Sequence, residues 1–210
     1  MATTLEDLNK IINAKAQLPQ KVTFEEFLTL TNGVKKAEWI EGEIVYMAAA
    51  SVRHELLFKF LLTILNLYTQ KNDLGLILGS DIPMKLDPQR RGREPDILFL
   101  AKARLSLLQP TYLDGPADVA IEIISPESYE RDTRDKFAEY EAAGTPEYWL
   151  FDPQRQTAGF YRLNENGQYL LADMPGGVFR SASIAGFWLR VEWLWNLPAE
   201  LDVLRELEVI

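Results

Sequence analysis

The stretch "VAIEIISPES", residues Val119–Ser128, carries one carboxylate, Glu122, inside an apolar run that is otherwise typical of a buried β-strand. A strand covered on both faces of its sheet can be apolar throughout. An ionised carboxylate in such a strand costs several kcal/mol unless something pairs with it. Strand alternation places Glu122 on one face with Ala120 and Ile124. The stretch therefore predicts a buried strand and a partner for Glu122.

A second carboxylate enters the apolar run that precedes this strand. In "PDILFLA", residues 95–101, Asp96 stands at the start of the strand beside Leu98 and Leu100. If the two strands are neighbours and both carboxylates face the same side, they repel each other unless a divalent cation lies between them. Mg²⁺, with Mn²⁺ as the alternative, prefers such oxygen ligands together with water and substrate phosphate, which indicates phosphoryl chemistry.

A lysine follows on the next segment, which we predict to be a helix from Ser128 to about Ala143, closed by Gly144. Its inward stripe is predicted to consist of Tyr129, Thr133, Phe137 and Tyr140. Lys136 borders this stripe, so its amine could reach the carboxylates and stabilise charge on a phosphate. Alternatively, its methylenes cover apolar surface while the amine reaches solvent, or it pairs with Asp132 along the helix.

The remaining patterns predict one α/β domain with a mixed sheet, spanning residues 1–210. Thr23 is expected to cap a short helix, and Ser51 a long helix that ends near Gln70. Four apolar runs are expected to be neighbours in one sheet: "LGLILGS", "DIPMKLD", "PDILFLA" and "DVAIEIIS". The C-terminal segment holds three of the five tryptophans and is expected to pack against the core or a partner subunit.

The composition excludes several classes of protein and site. The 210 residues include no cysteine and one histidine, which excludes disulfides, Cys-based zinc sites and His-rich metal sites. No apolar run is long enough to span a bilayer and "MATTLEDLNK" lacks the features of a signal peptide, so a cytoplasmic location is expected. The sequence contains no phosphate-binding glycine loop and no serine nucleophile elbow.

The net charge of −9 argues against a generally basic surface that coats nucleic acid. A local basic cluster does occur in "QRRGRE", which contains Arg90, Arg91 and Arg93. This cluster is either a patch that contacts phosphate or a solvated hairpin loop.

Four stretches taken together carry a resemblance to a known family: "AEWIEGEIVYM", "REPDILFL", "VAIEIISPES" and "RDTRDKFAEYEAAGTPEYWLFDP". In this order and spacing they resemble the Uma family, which is classed with restriction endonucleases in the PD-(D/E)XK nuclease superfamily. The resemblance covers residues from about 20 to about 195. It implies a restriction-endonuclease-like core, a mixed β-sheet flanked by α-helices, which hydrolyses phosphodiester bonds of DNA with Mg²⁺.

The resemblance also implies the metal ligands. Asp96 matches the aspartate of the first motif and Glu122 the acidic residue of the second, and the backbone carbonyl of Ile123 would be a further ligand. Ile124 stands where the superfamily expects a lysine, and Lys136 occupies the place to which this family moves that lysine.

Two further residues match the family. Glu38 matches a glutamate ahead of the first strand, which could bind a second metal or water. His54 matches a histidine on the long helix, although it could equally be an ordinary histidine at a helix start. Homodimers would fit the habits of similar nucleases and the tryptophan-rich C-terminal segment.

A rival interpretation is a catalytically silent nuclease-like module that binds nucleic acid or a protein partner. The acidic composition and the absence of a lysine at Ile124 favour it.

Overall fold

The computed structural model describes residues 21–32, 36–47, 50–87 and 91–210. The stretch "MATTLEDLNK" and Arg90, on which two of the expectations rest, lie outside these residues. The helices of the described residues are α1 (Phe24–Thr31), α2 (Val52–Lys71), α3 (Lys136–Ala143), α4 (Trp193–Asn196) and α5 (Glu200–Glu206). None of these helices is long and apolar enough to cross a membrane.

A six-stranded sheet forms the centre of the fold, with strands in the order β10-β9-β8-β7-β6-β3. These strands are β3 (Gly75–Leu78), β6 (Ile97–Ala101), β7 (Val119–Ile123), β8 (Glu147–Asp152), β9 (Thr157–Leu163) and β10 (Tyr169–Leu171). Only β7 and β8 pair in parallel, because the crossover between them contains α3. The predicted mixed sheet flanked by helices is confirmed.

A second, four-stranded antiparallel sheet lies beside the first, in the order β2-β1-β5-β4. Its strands are β1 (Ala37–Ile40), β2 (Glu43–Tyr46), β4 (Met84–Asp87) and β5 (Arg91–Arg93), and a separate hairpin joins β11 (Val178–Arg180) to β12 (Trp188–Arg190). The expectation that "DIPMKLD" joins the same sheet as the other three runs is wrong. It forms β4, which hydrogen-bonds to β5.

The central sheet is covered on both faces, as the apolar composition of β6 and β7 predicts. On one face, Phe99 and Ile121 pack in a cluster with the buried side of α2. On the other face, Leu98 and Ala120 pack in a cluster with Tyr140 of α3. The second face is also the face to which alternation assigns Glu122.

A π-helical turn, Arg131–Asp135, leads directly into α3 and changes which residues face inward. The backbone N–H of Lys136 bonds to the carbonyl of Arg131, so the turn holds one residue more than an α-helical turn would. This extra residue rotates Asp132 and Lys136 into the interior, whereas Tyr129 is 40% exposed. The prediction that Tyr129 faces inward is therefore wrong, because it assumed an uninterrupted period of 3.6 residues.

Other local predictions are confirmed. Thr23 and Glu26 form a reciprocal capping box at α1, and the Ser51 hydroxyl accepts from the N–H of His54 at α2. In the C-terminal segment, Trp193 is buried in the core, and Trp188 and Trp195 pack against it.

Gly144 ends α3 with φ 80°, in the left-handed region. A Cβ added there would meet no heavy atom within 4 Å, so a substitution tests conformation alone. We expect Gly144→Ala to lower the free energy of unfolding by about 1 kcal/mol. Gly144→Asn should cost less, since asparagine tolerates this conformation. Urea unfolding measures both, and equal losses from the two variants would contradict the explanation.

Candidate functional site

Asp96 and Glu122 are brought together by the register of β6 and β7. These strands are antiparallel, with Ile97 opposite Ile121 and Leu98 opposite Ala120. Continuing this register by one residue places Asp96 opposite Glu122, on the face that α3 covers. Both side chains are buried. The sequence prediction that two carboxylates meet on one side of neighbouring strands agrees with this geometry.

Three groups hold the Asp96 carboxylate. Lys36 Nζ donates to Oδ1 at 2.7 Å, and the backbone N–H of Ile123 donates to Oδ2 at 2.8 Å. His54 Nε2 lies 3.2 Å from Oδ2. Burial alone would raise the pKa of Asp96, but Lys36 and His54 outweigh it and hold the pKa well below its usual range. Asp96 is therefore ionised at neutral pH.

Glu122 is held from the α3 side. Lys136 Nζ and the Tyr140 hydroxyl both donate to Oε1, each at 2.8 Å. Burial nevertheless raises the pKa of Glu122 to about 7, and the neighbouring carboxylates of Asp132 and Asp96 add to this shift. The positive charge of Lys136 is thus insufficient on its own to offset the burial of Glu122.

Lys136 lies at the centre of three carboxylates. Its Nζ is 2.8 Å from Glu122 Oε1, 2.9 Å from Glu38 Oε1 and 3.5 Å from Asp132 Oδ1. Burial opposes the charged amine, but these carboxylates together raise the pKa of Lys136 above its usual range. The interpretation in which its amine reaches solvent is excluded, since Lys136 is 2% exposed.

Glu38 lies within β1 and not ahead of the first strand, which corrects the sequence-based placement. It is fully buried and receives a hydrogen bond of 2.6 Å from Arg93 Nη1 on its Oε2. Burial would raise the pKa of Glu38, but Lys136 and Arg93 outweigh it and lower the pKa to about 2. Glu38 therefore connects the four-stranded sheet to Lys136.

The described part of the basic cluster in "QRRGRE" faces carboxylates. Arg93 is 2% exposed and bonds to Glu38 and Glu139. Arg91 Nε donates to Glu139 Oε1 at 2.9 Å, and its Nη2 donates to Glu41 at 3.2 Å. These two arginines hold β5 against α3 and β1, so the interpretation as a patch that contacts phosphate finds no support from them.

The carboxylates of Asp96 and Glu122 and the ammonium of Lys136 border one cavity of about 550 Å³. Its lining includes Asp96, Glu122, Ile123, Lys136 and His54. The sequence-predicted site residues thus face a common space, except Glu38, which lies behind Lys136 and is absent from the lining.

The donor set of the cavity fits one hard divalent cation. Two buried carboxylates on adjacent strands supply oxygen ligands, and burial raises the pKa of Glu122 to about 7, so a cation at this carboxylate would favour its ionised form. Across the described ranges, no group of three or more His, Cys, Asp or Glu residues is arranged to hold a metal. The two carboxylates are within the number with which proteins commonly bind Mg²⁺.

Two members of the site, Lys36 and Tyr140, were not predicted as such from the sequence. Lys36 lies 60 positions before Asp96, and no periodic pattern connects them. Tyr140 was assigned to the apolar stripe, but its hydroxyl also bonds to Glu122. The salt bridge expected between Asp132 and Lys136 is present at 3.5 Å, and only the burial of Asp132 was not predicted. One indication was present in the sequence, since Lys36 lies shortly before Glu38 and therefore close to the strand that carries a predicted site residue.

The pH dependence of stability should report on Glu38. Its folded-state pKa of about 2 lies below the usual 4.5, so it contributes stability above pH 4.5 that is lost as the pH falls toward 2. We expect Glu38→Gln to lower the free energy of unfolding at neutral pH by about 3–5 kcal/mol. The difference from wild type should shrink as the pH falls from 4.5 toward 2. Urea unfolding across this range checks it, with exposed Glu43→Gln as the control.

Comparison with known proteins identifies the family. A crystal structure from Anabaena variabilis, described as "a putative nuclease belonging to DUF820", matches with a TM-score of 0.69 and 21% identity, covering 83% of this chain and 98% of that chain. The comparison with curated proteins gives no match. The family Uma2, described as "Putative restriction endonuclease", matches residues 24–192. This chain therefore belongs to the Uma2 family of restriction-endonuclease-like proteins.

Proposed function

We propose that this protein is a metal-dependent endonuclease that hydrolyses phosphodiester bonds of DNA and acts as a single nuclease domain. The observation that carries the proposal is the pair of buried carboxylates, Asp96 and Glu122, which face one cavity beside the ammonium of Lys136. Membership of a family described as restriction endonucleases supports a nucleic acid substrate.

In this proposal Asp96 and Glu122 hold Mg²⁺, or Mn²⁺, with the backbone carbonyl of Ile123 as a further ligand. The cation, when bound, would supply a Lewis acid for the phosphoryl group and lower the pKa of a water molecule. The carboxylates are fixed by the chain itself. Lys36 and His54 orient Asp96, and Tyr140 orients Glu122.

Lys136 is proposed to steer the attacking water and to stabilise charge that develops on the phosphate. Its ammonium is held in the interior by three carboxylates, so its charge is positioned before substrate arrives. Both oxygens of Glu38 face cations, Arg93 and Lys136, at 2.6 and 2.9 Å. We therefore propose that Glu38 positions Lys136, in preference to binding a second metal.

A second candidate function is the catalytically silent module. The observation that favours it is the placement of two amines, Lys36 and Lys136, directly on the carboxylates of Asp96 and Glu122. These amines partly neutralise the site without a metal. The expected homodimer and the cytoplasmic location remain predictions.

Metal binding and cleavage separate the two candidates. We expect wild type to bind Mg²⁺ in a calorimetric titration and to nick plasmid DNA. Glu122→Gln should neither bind Mg²⁺ nor nick DNA, because the amide keeps the size of the side chain but removes the negative charge of the proposed ligand. Glu130→Gln is the matched control, since Glu130 is exposed and does not line the cavity, and it should leave both properties intact. Nicking by Glu122→Gln at the wild-type rate would refute the proposed site, and absent metal binding in wild type would favour the silent module.

Removing the ammonium should have opposite effects on metal binding and on cleavage. In Lys136→Met, three carboxylates lose their shared cation, so Mg²⁺ should bind at least as tightly as to wild type and should raise the melting temperature further. Nicking should fall by roughly a hundredfold or more. Lys59→Met, at an exposed lysine of α2, is the control. Nicking by Lys136→Met at the wild-type rate would contradict a role for Lys136 in cleavage and would leave it a structural role only.

A further inference from the structure

Among the described residues, four basic side chains line the cavity, and three of them contact carboxylates: Lys36, His54 and Lys136. Lys36 and His54 contact Asp96 at 2.7 and 3.2 Å, and Lys136 lies among three acidic residues. The fourth is Arg131. Among these four side chains, Arg131 is therefore the candidate for binding a ligand.

The Nε of Arg131 has no hydrogen-bond partner among the residues that the structure describes. Its Nε is buried and lies 3.8 Å from Asp132 Oδ1, which is close enough for an ion pair but too long for a hydrogen bond. The side chain as a whole is 25% exposed, whereas Asp132 behind it is 3% exposed. Arg131 thus lines the cavity with a partly exposed side chain, and no hydrogen bond of its Nε to a described residue would have to be broken for a ligand to bind.

The π turn explains why Arg131 faces the cavity. Arg131 is its first residue, and the turn buries Asp132 and Lys136 on the inner side of the helix. Arg134 of the same turn is exposed and does not line the cavity. Within the same turn, Arg131 therefore lies at the cavity and Arg134 lies outside it.

The acidic lining of the cavity is the reason why an available basic side chain would help to bind an anionic substrate. Among the described residues, five acidic side chains line it: Glu55, Asp96, Glu122, Glu127 and Asp132. In the absence of metal, this excess would repel a polyanionic substrate, and a cation that is not engaged with a carboxylate would offset part of the repulsion. A guanidinium suits this purpose, since its planar array of donors matches two oxygens of one phosphate.

We propose that Arg131 binds a backbone phosphate of the substrate through its outer nitrogens, while Asp132 supports the guanidinium from behind. This inference rests on the proposed nuclease function and adds to it the residue that recognises the substrate's phosphate. Arg131 is then a substrate-binding residue, distinct from the residues that hold the metal.

The test compares Arg131→Gln with Arg134→Gln, which removes the same charge from the same turn outside the cavity. Binding of a fluorescein-labelled mixed-sequence DNA duplex is measured in EDTA at several salt concentrations, and plasmid nicking is measured in Mg²⁺ as a function of plasmid concentration. Arg131→Gln should weaken binding by roughly tenfold to a hundredfold and reduce the slope of log affinity against log salt by about 0.9. Arg134→Gln should stay within about twofold of wild type, and thermal melting confirms that each variant is folded.

The outcomes separate this inference from the nuclease proposal. Weaker binding by Arg131→Gln together with no nicking by wild type would support the phosphate contact and refute the nuclease. Nicking by wild type with unchanged binding and unchanged half-saturating plasmid concentration for Arg131→Gln would refute the phosphate contact alone. Arg131→Lys adds a check, because restored binding by lysine would show that charge suffices and would overturn the two-oxygen contact. A wild type that neither binds nor nicks DNA would overturn both.

Discussion

The ammonium of Lys136 inside a group of buried carboxylates is the interaction on which the rest of the site depends. Glu38, Glu122 and Asp132 come from a strand of one sheet, a strand of the other sheet and a π turn. Each of these carboxylates would be costly to bury alone. One cation therefore connects three separate elements of the fold, and the packing of the two sheets depends on electrostatics as well as on apolar area.

This arrangement also accounts for the irregular helix. Asp132 and Lys136 lie four positions apart and would share a face in an α-helix as well. The extra residue of the π turn changes the direction of that face relative to the residues before it, and both side chains are buried whereas Tyr129 is exposed. The less favourable hydrogen-bond geometry of a π turn is tolerated because it places both partners of a buried pair. The same turn directs Arg131 toward the cavity.

Much of the fold and part of the site could be predicted from the sequence. Asp96 and Glu122 were identifiable because a charge in an apolar strand is conspicuous, and alternation assigned them to a face. The pairing of β4 with β5 was not predictable, because an apolar run does not specify its neighbours. The role of Lys36 was not predictable for a related reason, since its contact with Asp96 joins positions 60 residues apart.

The two lysines explain how the fold tolerates its carboxylates before any cofactor binds. Lys36 and Lys136 each contact one of the two proposed metal ligands, so the pair is partly neutralised at all times. Burial still raises the pKa of Glu122 to about 7, so Lys136 only partly offsets the cost of ionising this carboxyl group. In the proposed function, a divalent cation at Glu122 would favour the ionised form and so add to the effect of Lys136. Lys36 already holds the pKa of Asp96 well below its usual range, so a bound cation would change the ionisation of Glu122 more than that of Asp96.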